Sequence, residues 1–331
     1  MQLTPNLMND TPIGLFMLGY ACINKGLREA KNPVFTNRTM RKATLEEKGY
    51  EYLSEIVIQN LQDLLTILEH NEKMGARFFR ISSEIFPFIS HPELGYNIQD
   101  LPQSEIILNL LNDIGNYATE HNHRLTTHPG PFNVLASPNP DVIRKTVLDL
   151  EAHSTIFDLM GFAPSHYNKI NIHVGGAYGE PKVALTRFCE NFKLLSPNLQ
   201  ARLTVENDDR ANLYSVKDLY EGVYQKVGIP IVFDYHHHIF CTGGLSEKEA
   251  LELAISTWPN DVVPVVHYSE SREIHNGGGK PTPAHSDIVY GPMRTYGHDI
   301  HIMVEAKHKE LALLYLVIED TIEEDLPPIN R

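Results

Sequence analysis

The segment RLTVE (202–206) is a short β-rich run that ends at a carboxylate, Glu206. The next run of the same kind, PIVFD (230–234), also ends at a carboxylate, Asp234. Longer segments with helical spacing separate such runs along the chain. Strands that alternate with helices in this way predict parallel pairing and an α/β fold.

The same alternation extends over most of the chain. Eight strand-like runs occupy residues 13–19, 77–82, 124–128, 169–174, 202–206, 230–234, 263–268 and 299–305. Helical spacing of Leu, Ile and Val, at steps of three and four, is clearest at 52–75, 104–121, 140–161 and 248–258. We predict a single (β/α)8 TIM barrel over residues 1–331, with the active site at the C-terminal ends of the strands. A doubly wound open sheet is the alternative, but no GxGxxG motif follows an early strand.

The composition restricts the class of protein. The chain has 331 residues, of which 42% are hydrophobic and 21% charged, as in ordinary globular proteins. No apolar run is long enough for a membrane span, and the N-terminus lacks a signal-peptide pattern. The 3 cysteines are scattered, which favours a reducing compartment. We therefore expect a soluble, intracellular monomer that does not bind membranes.

The formal net charge of −14, taken alone, argues against nucleic acid as a partner. Bound divalent cations would offset part of this charge. The charge is also unevenly distributed, because one segment carries a single acid, Glu29, among many basic residues. Its basic residues are Lys25, Arg28, Lys31, Arg38, Arg41 and Lys42. This segment is either a solvated loop or a phosphate-binding surface.

Side chains that can bind a metal end six consecutive strands. They are His128, His173, Glu206, Asp234, His267 and Glu305. Any one of them alone would usually be a core histidine or a helix N-cap. In a barrel, however, the carboxyl ends of all strands meet at one mouth, so that the six residues are predicted to share one cavity.

Two further histidines complete this set. His237 follows Asp234 by three positions, and His285 lies in the long loop before the last strand. Eight imidazole and carboxylate ligands imply two or three divalent ions with bridging carboxylates. Mixed imidazole and carboxylate ligation, without thiolate, favours Mn²⁺ or Zn²⁺ over Mg²⁺ or Ca²⁺. Clustered divalent ions are the usual means of hydrolysing phosphate esters.

A family resemblance rests on motifs that are spread over most of the chain. They are Leu18-Gly19-Tyr20, Asn37-Arg38-Thr39, FRISSE (79–84), His128-Pro129-Gly130, IHVGG (172–176), VENDD (205–209), FDYHHH (233–238) and Met303-x-Glu305-Ala306-Lys307. In their order and spacing the chain resembles the UV-damage endonucleases, which are related to the AP endonuclease IV barrels. The resemblance implies that damaged double-stranded DNA is the partner and manganese the metal. It also implies a nick immediately 5′ of UV photoproducts (cyclobutane dimers and 6-4 products) and of some other lesions such as abasic sites, leaving a 3′-hydroxyl.

The resemblance also implies roles for individual residues. Three metal sites would be formed by His128, His173 and Glu206; by Glu206, Asp234, His267 and Glu305; and by Asp234, His237 and His285. His91 matches a further histidine near the metals, and we expect His91 or Lys307 to assist at the leaving oxygen. Tyr20 and Asn24 match residues that hold the displaced nucleotides.

The chain departs from the family pattern at two places. Pro131-Phe132 stands where the family usually has Gln-Tyr, a pair that wedges into the duplex; Phe132 can still insert between bases, but lesion preference is expected to differ. Val265 stands where a modifiable lysine is common, which is expected to alter metal affinity. The alternatives left open are a metal-dependent sugar isomerase, an AP-type endonuclease and a non-catalytic damage sensor or metal-storage protein.

Overall fold

Eight parallel strands pair in chain order and close on themselves. The computed structural model describes residues 16–319. Its barrel strands are β1 (Phe16–Ala21), β2 (Phe78–Ile81), β3 (Arg124–Thr127), β4 (Ile170–Ile172), β5 (Leu203–Glu206), β6 (Ile231–Asp234), β7 (Val265–Tyr268) and β9 (Ile300–Val304). Pairing of β1 with β9 closes the barrel, with Gly19 beside Met303. The predicted TIM barrel is therefore confirmed. The single domain predicted for 1–331 stays a prediction, since part of that range lies outside the described residues.

Helices surround the barrel and carry the chain back to the start of each next strand. The longer ones are α2 (Lys42–Met74), α3 (Ser104–Glu120), α4 (Pro140–Leu159), α5 (Pro181–Phe192) and α10 (Glu247–Ile255). The shorter ones are α1 (Lys25–Arg28), α6 (Pro197–Gln200), α7 (Val216–Leu219), a π-helical turn (Tyr220–Tyr224), α8 (Gln225–Val227), α9 (Tyr235–Phe240) and α11 (Arg272–His275). Three 3₁₀ turns complete the set, at Ile98–Asp100, His166–Asn168 and Lys309–Leu314. Helix α2 starts before the predicted 52–75. Its first turns precede a kink at Gly49, where φ is 74°, and the kink interrupts the helical spacing of the sequence.

The interior of the barrel is apolar in its middle and basic at its closed end. Phe78, Val232, Val265 and Met303 are fully buried against one another. At the amino ends of the strands the guanidinium of Arg124 donates to three backbone carbonyls, those of His166, Tyr167 and Val263, at 3.1, 2.8 and 2.7 Å. Burial lowers the pKa of Arg124 to about 9. The barrel is thus closed below, so that its functional groups lie at the opposite end.

The segments 22–42 and 269–297, which lie between the strands and helices predicted from the sequence, contain local structure. The later one holds a short strand, β8 (Met293–Arg294), which pairs with β10 (Ile318–Glu319), and a bridge between Ser271 and His285. In the earlier one, the basic side chains of Arg28 and Arg38 lie over the Phe35 ring, at 5.2 and 3.9 Å from its centroid. The later segment is therefore fixed by backbone pairing, and the earlier one holds the side chains of Arg28 and Arg38 against an aromatic ring.

Two expectations from the composition can be compared with this fold. All 3 cysteines are free, in agreement with the absence of a disulfide framework. Within residues 16–319, no helix has the length and apolar character needed to cross a bilayer. The compartment and the monomeric state stay predictions.

Candidate metal centre and nucleic-acid interface

Glu206 lies at the centre of the residues that end the strands. Its Oε2 atom is 3.4 Å from His128 Nε2, 3.9 Å from His173 Nε2 and 3.1 Å from His267 Nδ1. Two groups of ligand atoms, each within 4.8 Å of one another, share this carboxylate: His128 with His173, and Asp234 with His267. Because Glu206 is 1% exposed, its charge is opposed by protein groups and by whatever cation binds there.

Three of the histidines are held by a hydrogen bond at Nδ1, which orients Nε2, and a fourth has its Nδ1 beside a carboxylate. Nδ1 of His128, His237 and His285 lies 3.1, 2.9 and 2.7 Å from a backbone carbonyl, of Pro129, Asn207 and Glu305 respectively. A carbonyl can only accept, so each of these Nδ1 atoms carries the proton and leaves Nε2 as the metal-binding atom. In His173, Nδ1 lies 3.3 Å from the Asp208 carboxylate. This arrangement is typical of imidazole ligands whose outer hydrogen bond fixes the ring.

Asp234 is a buried carboxylate whose two oxygens differ in their surroundings. It is the N-cap of α9, and its Oδ1 accepts from the backbone N–H of His237 at 2.8 Å. Its Oδ2 is buried and, among the described residues, no group donates a hydrogen bond to it; His237 Nε2 lies 3.9 Å away. A buried carboxylate oxygen without a donor is costly unless a cation satisfies it. The donor set therefore fits a divalent ion.

Glu305 and His285 extend the cluster on its other side. His267 Nδ1 is 3.2 Å from Glu305 Oε1, and His285 Nδ1 is 4.0 Å from Glu305 Oε2. Arg80, on β2, forms an ion pair with Glu305. All eight predicted ligands are thus joined by contacts of 4.0 Å or less, although His285 lies beside Glu305 and the ring of His236 rather than beside Asp234.

Burial and the neighbouring charges lower the pKa of some residues in the cluster and raise the pKa of others. Burial lowers the pKa of His128 to about 4. Burial also disfavours the charged form of His173, but Glu206 and Asp208 outweigh it and raise the pKa to about 9. The pKa of Glu206 is held well below its usual range despite burial, because His267 and His173 surround it. Burial raises the pKa of Asp234. The centre therefore holds a proton on His173 near neutral pH that a bound cation would displace.

Four residues that support the ligands were missed from the sequence. They are Arg80, Asn171, Asn207 and Asp208. The amide of Asn171 donates to Glu206 and accepts from Thr204 Oγ1 at 2.7 Å. A signal was present for three of them: Asn207 and Asp208 directly follow Glu206, and Asn171 shares the inward parity of His173, two positions later. For Arg80 there was no such signal, because its ion pair with Glu305 forms only when the barrel closes.

An open cavity of about 640 Å³ lies beside the metal centre. His128, His173 and His237 form one wall of it, and Pro131 and Asn133 line the neighbouring loop. Phe132, between those two, is not among the residues that line the cavity and is 85% exposed. A phenylalanine with so much free surface contributes little to the fold and is available for contact with a partner.

Among the described residues, no hydrogen bond or ion pair joins the side chains of the other predicted residues to the eight ligands. His91 Nδ1 accepts from the backbone N–H groups of Glu93 and Leu94, both at 3.2 Å. Lys307 is largely exposed, with Nζ 3.9 Å from an Asp287 carboxylate oxygen. Neither is among the contacts that join the eight ligands in the described part of the chain. Val265 lies in the apolar interior, below His267.

Tyr20 and Asn24 are fully buried. The Tyr20 hydroxyl donates to Asn71 Oδ1 at 2.6 Å and accepts from Asn24 Nδ2 at 2.9 Å. The Asn24 side chain also caps α1, where it accepts from the Leu27 N–H at 2.9 Å. In this conformation the two residues shape the loop after β1, and they present no free surface to a nucleotide.

Comparisons with known proteins agree on one family. The family model described as UV-endonuclease UvdE matches residues 16–329. A UV-damage endonuclease from Schizosaccharomyces pombe is 37% identical over 308 residues, which cover 90% of this chain but only 50% of the relative. A UV DNA damage endonuclease from Bacillus mycoides is 34% identical over 300 residues, which cover 88% of this chain and 89% of the relative. The crystal structure of SacUVDE superposes with a TM-score of 0.78 at 32% identity, covering 91% of this chain and 96% of that one.

Proposed function

Because the chain belongs to the UV-endonuclease UvdE family, we propose that it cuts the phosphodiester backbone of UV-damaged double-stranded DNA. The nick falls immediately 5′ of a cyclobutane dimer or a 6-4 product, with abasic sites as further substrates, and leaves a 3′-hydroxyl. The observation that carries the proposal is the buried Glu206, shared by two groups of ligand atoms at the mouth of the barrel. A mouth lined by such ligands suits a phosphate ester.

The eight ligands would hold two or three divalent ions, with Mn²⁺ proposed as the native metal. Bound there, divalent ions supply an activated water and neutralise the charge of the phosphate oxygens and the leaving oxygen. Glu206 and Asp234 place negative charge between the imidazoles, and Arg80 and Asn171 hold Glu305 and Glu206 in place. His173 carries a proton near neutral pH, since its pKa is raised to about 9 chiefly by Glu206 against the effect of burial, and it would have to release that proton in order to bind a cation.

His91 is proposed to act on the leaving 3′-oxygen. Its Nδ1 accepts two backbone N–H groups, those of Glu93 and Leu94. A ring nitrogen that accepts carries no proton, so the proton of the neutral ring is on Nε2, which can donate it. Lys307 is the alternative, because its ammonium group could stabilise the charge of the leaving oxygen. The one carboxylate near its Nζ within the described residues is that of Asp287, at 3.9 Å.

Two surfaces are proposed to bind the duplex. Phe132 inserts at the lesion, where stacking is already weakened, and fills the gap between bases. Pro131, which precedes it, has no amide group to donate to a base edge, so that the wedge acts by shape and stacking. Arg28, Lys31 and Arg41 follow β1 at the mouth of the barrel and are exposed. They would bind phosphates beside the lesion, even though the whole chain is negatively charged.

The test is cleavage of a labelled duplex that carries one thymine dimer, with Mn²⁺ or with chelator, beside an undamaged control. We expect one Mn²⁺-dependent nick just 5′ of the dimer and no cut in the undamaged duplex. Cutting of an abasic-site duplex but not of the dimer would reassign the chain as an AP-type endonuclease. If neither duplex is cut although metal is bound, the endonuclease proposal is wrong and the sugar isomerase alternative is to be tested.

A further inference from the structure

The open cavity beside the metal centre has a second aromatic wall that the proposed mechanism does not use. Tyr178 lines the same cavity as Pro131 and Asn133, and its side chain is 46% exposed. Val134 and Leu213 add apolar surface to the same cavity. Its volume of about 640 Å³ is in the range of sites that hold a small organic ligand.

The Tyr178 ring is held in place from several sides. Its backbone φ is 52°, in the left-handed region that residues other than Gly and Asn seldom adopt. The ring lies over Gly176, where an added Cβ would be 3.3 Å from ring carbon Cζ. The guanidinium of Arg187 is 5.6 Å from the ring centroid, and its Nε donates to the Ala136 carbonyl at 2.8 Å. A rigid exposed ring in a loop of this kind is positioned for contact with a ligand.

The charges around the cavity indicate which part of a ligand faces Tyr178. Asp208 and Asp209 line it, so that a phosphate group would be repelled there. A nucleobase is neutral and offers an aromatic face. Arg210 lies at the same cavity and is exposed, with Nε 3.8 Å from an Asp209 carboxylate oxygen. A nucleotide would therefore place its base against Tyr178 and its phosphate toward the metal centre or Arg210.

We propose that Tyr178 is the stacking wall of a subsite for one unpaired nucleotide, next to the metal centre. The proposal rests on the proposed function, because Phe132 must first displace a base. Pro131 and Asn133, which flank Phe132, line this cavity, so the recess opens directly beside the wedge. The subsite is distinct from Tyr20 and Asn24, which are buried and do not line it.

The experiment compares two variants in binding to a dimer-containing duplex and an undamaged one. Tyr178→Asn removes the ring but keeps a residue that tolerates positive φ. Tyr178→Phe keeps the ring. The matched control is Tyr290→Asn, a tyrosine 53% exposed that does not line this cavity. Loss of one base–aromatic stack predicts binding of the dimer duplex about 5- to 150-fold weaker for Tyr178→Asn. Tyr178→Phe and the control should bind within about 2-fold of the parent, since each keeps this stack.

A second readout identifies the nucleotide. 2-Aminopurine is placed in turn at positions around the dimer on both strands, and its emission in the complex should rise at one position in Tyr178→Asn and not in Tyr178→Phe. Equal binding of the dimer duplex by Tyr178→Asn and the parent chain, at unchanged metal content, would overturn the subsite and leave the endonuclease proposal standing. If the parent chain does not prefer the dimer duplex, the proposed function itself fails, and this is a separate outcome.

Discussion

Asn207 and Asp234 hold the ends of two neighbouring strands together through a pair of hydrogen bonds. The Asp234 N–H donates to Asn207 Oδ1 at 2.8 Å, and Asn207 Nδ2 donates back to the Asp234 carbonyl at 3.0 Å. The Asn207 carbonyl also fixes His237 through Nδ1 at 2.9 Å. One buried amide residue therefore sets both the carboxylate and the imidazole on its side of the metal centre.

Replacing Asn207 by Ala is expected to weaken metal binding about 10- to 100-fold, as is usual when a group that orients metal ligands is lost. Metal affinity measured by calorimetry checks this. The matched control is Asn168→Ala, because Asn168 is also a buried asparagine but donates to the Leu125 carbonyl, at 2.9 Å. Both variants should lose stability. A fall in metal affinity of equal size in the two would show that Asn207 acts only through the fold.

Replacing Glu206 by Gln is expected to reduce cleavage by more than about 100-fold, since both groups of ligand atoms share this carboxylate. Metal content and the cleavage rate are measured together. The control is Glu252→Gln, where an exposed carboxylate 3.5 Å from a histidine, His298, is changed in the same way on the surface. Full activity of Glu206→Gln would contradict the metal-centre model.

Replacing Phe132 by Ala is expected to reduce the preference for damaged over undamaged duplex by roughly 5- to 150-fold, the value of one lost stack on a base. Stability should stay within about 0.5 kcal/mol, because the side chain is 85% exposed. Competition binding and thermal unfolding measure the two effects. Leu194→Ala, which removes a side chain 76% exposed near the end of α5, is the control. An unchanged preference for damage would remove the wedge role.

Removing the charges of Arg28, Lys31 and Arg41 together should make duplex binding less dependent on salt. Each lost phosphate contact lowers the slope of log K against log salt by about 0.9, so the triple alanine variant should lose up to about 3. The control removes Lys73, Lys193 and Lys226, which are exposed at helix ends leading into strand starts, on the far side of the barrel. Equal slopes in the two triple variants would show that net charge, and not this surface, matters.

Acid is expected to destabilise the fold partly through His301. Burial, and the Arg124 guanidinium 2.9 Å from its Nδ1, lower the pKa of His301 to about 3. The unfolded chain takes up this proton near pH 6.5, and the folded chain does not. Stability is therefore complete above pH 6.5 and falls as the pH drops toward 3, by at most about 1.4 kcal/mol per pH unit. Urea unfolding of His301→Asn should show a shallower loss below pH 6, and an unaltered slope would contradict this origin. His121→Asn, a histidine at the end of α3, serves as control.

The barrel and its strand-end ligands could be predicted because both follow from periodicity. Apolar runs alternating with helical segments imply parallel strands, and parallel closure brings all carboxyl ends to one mouth. Helix α5 (Pro181–Phe192) was not among the segments with the clearest helical spacing, and the start of α2 was missed because Gly49 interrupts that spacing. The pairing of Arg80 with Glu305 depends on contact between β2 and β9, which are far apart in sequence. The buried hydroxyl of Tyr20 has its acceptor, Asn71, in another element. Such partners are set by tertiary packing and leave no local pattern.

The guanidinium of Arg124 joins the turn before β4 to Val263, two residues before β7, and closes the amino end of the barrel, which makes the barrel a cup. In a cup, the proposed cations and the proposed DNA substrate would share one opening. A duplex lying across that opening would cover the ions beneath it, so that ions would exchange with solvent more slowly while DNA is bound. Metal would then have to load before the substrate arrives, and each binding event on DNA would begin with the centre already filled.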